Sequence, residues 1–202
     1  MLDHYVAKQL SSPTGLGGKF IFFIMNRQNR SLYEETIRLL SPSDTDSILD
    51  IGCGNGYMLN MLARQYDCAL TGIDISKSIV ETACQRNRAY VKTGKMTLSC
   101  QNLIKMNFSE NSFGKAYTVN TVYFWENLND SMARIKLILE PGGLFINTLY
   151  TNETLSRFTH TRFGYKRFTE DQLVSAGADA GFATDVIPIF NGAAYCVMYR
   201  KG

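Results

Sequence analysis

The segment ILDIGCGNGYML, residues 48–59, decides how this chain folds. An apolar run ends in an acid, Asp50, and passes into three glycines spaced two apart, Gly52, Gly54 and Gly56. Glycine lets a main chain bend sharply and approach a ligand with no Cβ in the way. The next stretch, YMLNMLARQ, carries apolar residues at helical spacing, so the turn joins a strand to a helix. A helix N-terminus has free N–H groups that favour a carboxylate as well as a phosphate.

The spacing of the glycines excludes two familiar nucleotide motifs. A dinucleotide fingerprint, G-x-G-x-x-G, needs a third glycine where this chain has Tyr57 or Leu59. A P-loop needs G-K-[ST], which does not follow. The pattern present is D-x-G-x-G-x-G. Downstream, ALTGIDI ends a second strand on Asp74, where an acid binds the two hydroxyls of a ribose. The site therefore asks for a ribose and an anionic group, without a pyrophosphate.

Strand and helix patterns alternate outward from this turn. KSIVETACQRNRAY is a helix capped by Ser76, MTLSCQ a third strand, FGKAYTVNTV a fourth, DSMARIKLILE a helix, and LFINTLY a fifth strand after the turn EPGG. Such alternation gives βαβ units and a parallel sheet covered on both faces. Thr169 and Gln172 have capping-box spacing for a helix to about Ala180. Two strands then meet at Asn191-Gly192, a hairpin signal. On the N-terminal side, Ser31 and Glu34 have the same box spacing ahead of a helix from about Leu32 to Leu40, which Pro42 stops.

Bulk properties narrow the partners. The 202 residues suit one domain, and a formal net charge of +3 with no dense Lys/Arg block makes no demand for nucleic acid. Five scattered cysteines without a C-x-x-C pair give no support to zinc or redox motifs and fit a reducing, cytoplasmic setting. The first residues lack the layout of a signal peptide, and no apolar run is long enough for a bilayer.

The segments ILDIGCGNG, TGIDIS, NFSENSFGKAYTVNTVYFW and LEPGGLFI, in this order, resemble the class I S-adenosylmethionine-dependent methyltransferases of small molecules. The likeness covers about residues 45 to 150, and the helix with AGF plus the terminal hairpin resembles the family's usual end. It implies an α/β, Rossmann-like, doubly wound sheet of seven strands in the order 3-2-1-4-5-7-6. The seventh strand is antiparallel, helices cover both faces, and a helical arm covers the N-terminal side. Residues 1–40 would form that arm, residues 41–202 the catalytic domain, and residues 151–170 a lid segment.

The resemblance also implies S-adenosylmethionine as cofactor, with S-adenosylhomocysteine as product. Gly52, Cys53, Gly54 and Gly56 would line its methionyl part with Asp50 at the strand end. Asp74 would hold the ribose, and Ile75 would pack on the adenine. Asn102, where the family commonly has Asp, and Leu103 would bond the adenine. Asn120 would hold the methionyl amino group through its carbonyl. A small-molecule acceptor is the expected partner, with no nucleic acid and no membrane.

Methyl transfer from a sulfonium is an in-line displacement, so much of the catalysis is positioning and water exclusion. A proton acceptor is needed only where the nucleophile carries a proton. His160, in the basic segment RFTHTRFGYKRF, and Tyr123 are the candidates for such a role. Tyr5, Asn26, Asn29, Tyr123, Trp125 and Tyr150 are candidates for the acceptor pocket, and His4 for a contact with substrate. The lid cations Arg157, Arg162, Lys166 and Arg167 either form a solvated face or recruit an acidic acceptor. Cys53 reads as a small filler. Two other functions remain open at this stage: a binding module that keeps the cofactor but does no chemistry, and a nicotinamide-dependent oxidoreductase.

Overall fold

The computed structural model describes residues 25–202. Tyr5, His4 and the glycine-rich stretch SSPTGLGG lie outside the described residues. Residues 25–28 form one helical turn, followed by helix α1, Arg30–Leu40. Strand β1, Ser47–Ile51, leads through the glycine turn into α2, Tyr57–Gln65. Then come β2, Ala69–Asp74, the helices α3, Lys77–Arg86, and α4, Arg88–Lys92, and β3, Met96–Cys100. The second half holds β4, Phe113–Val119, α5, Leu128–Ile138, and β5, Leu139–Tyr150. The short α6, Asn152–Ser156, precedes α7, Glu170–Asp179, and the strands β6, Phe182–Ile189, and β7, Ala194–Lys201.

The strands form one seven-stranded sheet in the order β3-β2-β1-β4-β5-β7-β6. Pairs β1–β2, β1–β4, β2–β3 and β4–β5 are parallel, whereas β7 runs antiparallel to both β5 and β6. The expected order and the reversed seventh strand are both present. Strands buried on two faces read as continuous apolar runs rather than alternating ones. Accordingly, Ile48, Leu49, Asp50 and Ile51 are all buried. One face packs Leu32, Leu40, Met58 and Leu62 of α1 and α2 against Ile48, Leu70 and Ile146. The other packs Met132, Ile135, Leu173 and Ala176 of α5 and α7 against Leu49, Phe145 and Tyr199.

The local capping and turn signals are realised unevenly in the fold. The capping box at Thr169 is present in both directions, with Thr169 Oγ1 accepting from Gln172 N at 3.2 Å and Gln172 Oε1 from Thr169 N at 3.0 Å. The box at Ser31 is not. Helix α1 begins at Arg30, and its cap residue is Asn29, whose side chain makes no capping bond. That side chain is spent elsewhere, on Asn120. Ser76 precedes α3 but its hydroxyl does not cap it. The helix predicted after it breaks at Asn87 into α3 and α4. The terminal hairpin is real, but its connection is a short 3₁₀ turn over Phe190–Gly192 with Asn191 in a left-handed conformation.

Candidate active site

In an open α/β sheet ligands bind beyond the carboxyl ends of the strands, where the strand order reverses. Here the reversal lies between β1 and β4. A cavity of about 240 Å³ opens at that point. It gathers Asp50 and Ile51 from β1, Ile73 and Asp74 from β2, Val119 from β4 and Tyr150 from β5.

The glycine turn forms one wall. Gly52 N and Cys53 N donate to Ile73 O at 2.8 and 2.9 Å, fastening the turn to β2. Gly54 N donates to Asp74 Oδ2 at 3.1 Å, and Ser76 N donates to Asp74 Oδ1 at 2.9 Å. Both carboxylate oxygens are thereby oriented, and each retains a lone pair for a further donor. Burial raises the Asp74 carboxyl above its ordinary range, against the pull of the N–H groups of Ser76, Gly54 and Ile75.

Two glycines are required by the protein itself. Gly52 has φ +78°, and a Cβ there would meet Thr121 Cγ2 at 2.6 Å. Gly56, at φ +69°, caps α2, and a Cβ there would meet Asn87 Nδ2 at 2.5 Å. Asn87 is buried and its Nδ2 donates to Gly56 O and Ala83 O at 3.0 and 3.1 Å. The same residue that breaks the α3–α4 helix therefore braces the turn from behind. Nothing in the local sequence announces Asn87, because its partners lie 31 and 4 residues away.

Asp50 lies beneath the turn, buried, and accepts from Tyr117 OH at 2.8 Å. Burial pushes its carboxyl up to about 8; the Tyr117 hydroxyl pulls it down, and the nearby Asp74 charge adds to the rise. Cys53 is buried and its thiol is raised well above the ordinary range by burial, then by Asp50 and Asp74. It is a filler in the turn, not a thiolate nucleophile.

The remaining predicted cofactor residues border the same space. Ile75, 60% exposed, and Leu103 lie at the cavity's open side with Asn102, whose Oδ1 accepts from Ile104 N at 2.8 Å. Asn120 stands after β4 in a left-handed conformation, φ +56°. Its Oδ1 accepts from Tyr123 OH at 3.1 Å and its Nδ2 donates to Asn29 Oδ1 at 3.2 Å. Asn26 and Asn29 are buried, and Asn26 Nδ2 donates to Asn55 Oδ1 at 3.2 Å. The segment before α1 thus touches the glycine turn through Asn26 and the loop after β4 through Asn29. Of the predicted cofactor residues, Gly56 alone is not part of the lining.

The other half of the cavity is aromatic. Tyr123, Phe124, Trp125, Tyr150, Phe158 and Tyr165 line it, together with His160. Tyr123 is buried; its hydroxyl accepts from Tyr150 N at 2.9 Å and lies 3.3 Å from Tyr150 O. Burial raises that phenol well above its usual range, so it stays protonated and joins two walls. Phe158 and Tyr165 belong to the aromatic run of the lid segment; Thr161, also in the lining, carries no signal because the loop that holds it has no periodic pattern. Among the described residues no group of His, Cys, Asp and Glu could hold a metal ion.

This architecture, a seven-stranded sheet with a reversed last strand and a glycine turn over its switch point, defines the class I methyltransferase fold. Residues 49–147 match the methyltransferase domain model. The chain is 31% identical over 132 residues to the uncharacterized methyltransferase YdaC of Bacillus subtilis (strain 168), covering 65% of this chain and 71% of that protein. It is 30% identical over 109 residues to an O-methyltransferase of Pyrenophora dematioidea, covering 54% of this chain and 41% of that protein. The chain thus spans well under half of that relative's length. In three dimensions it resembles a geranyl diphosphate C-methyltransferase from Streptomyces coelicolor A3(2). The TM-score is 0.75 at 13% identity, over 96% of this chain and 87% of that one. The chain belongs to the class I S-adenosylmethionine-dependent methyltransferase family. Among the described residues, no helix is long and apolar enough to cross a membrane.

Proposed function

We propose that this chain is an enzyme that transfers a methyl group from S-adenosylmethionine to a small-molecule acceptor. The observation that carries the reading is the joining of Gly54 N to Asp74 Oδ2, at 3.1 Å, on the wall of one cavity. The donor set fits the cofactor. A half-buried carboxylate with oriented oxygens suits the ribose diol. The side chains Asp50, Asp74 and Glu126 are the acids of the lining, and no Lys or Arg lines it among the described residues. Such walls favour a cation such as a sulfonium.

In this reading Gly52, Cys53, Gly54 and Gly56 shape the methionyl subsite with Asp50 beneath. Asp74 grips the ribose, Ile75 packs on the adenine, Asn102 and the Leu103 N–H bond it, and the Asn120 carbonyl takes the amino group. The bound cofactor supplies an electrophilic methyl group on a sulfonium. The protein's own part is to orient the acceptor, exclude water and remove a proton where the acceptor carries one. His160 is the residue for the last task, and Tyr123 positions Asn120 and Tyr150. Residues 25–29 and residues 151–170 cover the site.

The O-methyltransferase relative and the sterol C-methyltransferases, such as the Oryza sativa subsp. japonica protein at 28% identity over 133 residues, support transfer to a small organic molecule. The test is turnover with methyl-labelled cofactor and a small-molecule extract. Label entering the small-molecule fraction is the expected result. Binding of S-adenosylhomocysteine without any label leaving the cofactor would make the chain a non-catalytic binding module.

A further inference from the structure

On the methyl-donor reading above, we infer that the acceptor is an uncharged, planar aromatic molecule bearing a hydroxyl group, and not a carboxylic acid or phosphate. The first observation is a circuit of rings around the acceptor half. Tyr150 lies 5.9 Å from Phe158, Phe158 5.9 Å from His160, His160 6.0 Å from Tyr165, and Tyr165 5.4 Å from Tyr123, between ring centroids. Tyr123 closes the circuit through the main chain of Tyr150. Aromatic walls reward a flat partner with stacking or edge contacts beyond simple burial.

The second observation concerns charge. The four cations of the lid segment are absent from the lining. Lys166 Nζ donates to Trp125 O and Glu126 O at 2.6 and 2.7 Å, and Arg167 donates to Asn152 O and to Thr161 O and Oγ1. Arg157 pairs on the surface with Glu153. The bonds of Lys166 and Arg167 hold these two cations on main-chain and threonine oxygens, away from an acceptor. With the cofactor covering Asp50 and Asp74, an acid in the acceptor half would meet Glu126 and the rings, and no Lys or Arg of the lining among the described residues. A desolvated charge without a partner is strongly disfavoured.

The third observation is the imidazole within the circuit. Thr161, beside it, has its hydroxyl committed to Leu155 O and Phe158 O at 2.6 and 2.8 Å. His160 stands on the wall of this half, and an imidazole is a side-chain type that serves as a proton acceptor in catalysis. An aromatic hydroxyl has a pKa of about 10, within reach of an imidazole at about 6.5, whereas an aliphatic alcohol is far outside it. The hydroxyl oxygen bonds to the methyl carbon as the carbon–sulfur bond breaks. Its electron pair leaves on sulfur, and the hydroxyl proton passes to His160.

The test titrates the protein, saturated with S-adenosylhomocysteine, with 2-naphthol, 2-naphthoate and 2-naphthyl phosphate by calorimetry. The naphthol is expected to bind at least about tenfold more tightly than either acid, the order of penalty for an unpaired charge in such a site. Equal or tighter binding of an acid, or no binding of the naphthol to the saturated protein, overturns the inference. Failure of S-adenosylhomocysteine itself to bind instead removes the donor reading on which the inference rests. His160→Gln is expected to keep naphthol binding and to lose roughly 10²- to 10⁴-fold in its methylation rate. An unchanged rate in a variant that binds normally also overturns it.

Discussion

Gly54 and Asp74, twenty residues apart, share a hydrogen bond from main-chain N–H to carboxylate at 3.1 Å. The bend that would admit the methionyl part of a cofactor and the acid that would hold its ribose are thus joined directly. The Ile73 carbonyl, which accepts from Gly52 and Cys53, completes that junction. Positioning of this kind places two binding groups at fixed separation before any ligand arrives, which lowers the ordering cost of binding.

Gly52→Ala is predicted to destabilise the fold by about 1–3 kcal/mol, the cost of a left-handed non-glycine residue with a close contact. Thr121→Ser removes the methyl that the new Cβ would meet at 2.6 Å. In the double variant the contact part of the loss should return, and the part owed to φ +78° should not. Urea unfolding of the three variants measures both parts. Additive losses would contradict the assignment.

Asp50 gives a pH signature. Its folded carboxyl lies at about 8, while an unfolded one lies at about 4. Between these values the folded state holds more protons than the unfolded state, so stability falls as pH rises. The contribution is fully present below about 4 and is lost as pH passes through about 8. Asp50→Asn, which keeps a group able to meet Tyr117 OH, is predicted to flatten the fall in melting temperature across this window. An unchanged pH profile would show that Asp50 is not the group responsible.

Cofactor binding should move the same proton. A sulfonium near Asp50 favours the carboxylate, so S-adenosylmethionine is predicted to release a proton on binding at neutral pH, and neutral S-adenosylhomocysteine to release less. Calorimetry in buffers of different ionisation enthalpy reads this directly. Equal proton release by the two ligands would count against the placement of Asp50 under the sulfonium end.

Asn29→Ala is predicted to cost about 1–3 kcal/mol, because it removes a buried amide and leaves two half-buried polar partners without it. Asn29 Oδ1 accepts from Asn120 Nδ2 at 3.2 Å and lies 3.4 Å from Tyr150 OH. Asn120 should then lose its fixed orientation, and S-adenosylhomocysteine should bind several-fold more weakly than to the parent chain. Unaltered affinity at full folding would restrict Asn29 to a structural role.

The layout of the sheet was legible because its signals are local and repeated. The apolar run Ile48–Ile51, the helical spacing of Met58, Leu59 and Leu62, and the Asp at the end of β2 each speak for themselves. The Thr169 box was legible for the same reason, its two bonds spanning three residues. The Ser31 box failed because Asn29, two residues earlier, is held by Asn120, a partner 91 residues distant. Asn87 was invisible for the same cause. The lid cations fit either a solvated face or the recruitment of an acid; in the fold Lys166 and Arg167 are bound to carbonyl oxygens. Side chains whose roles are set by long-range contacts leave no trace in the spacing of their neighbours.

The most direct measurement is a calorimetric titration of the parent chain and Asp74→Ala with S-adenosylhomocysteine and with NAD. S-adenosylhomocysteine is expected to bind in preference to NAD, with a loss of roughly ten- to a hundred-fold in the folded variant, the scale of charge-assisted hydrogen bonds. Preference for NAD, or an affinity for S-adenosylhomocysteine that the substitution leaves unchanged, would contradict this expectation.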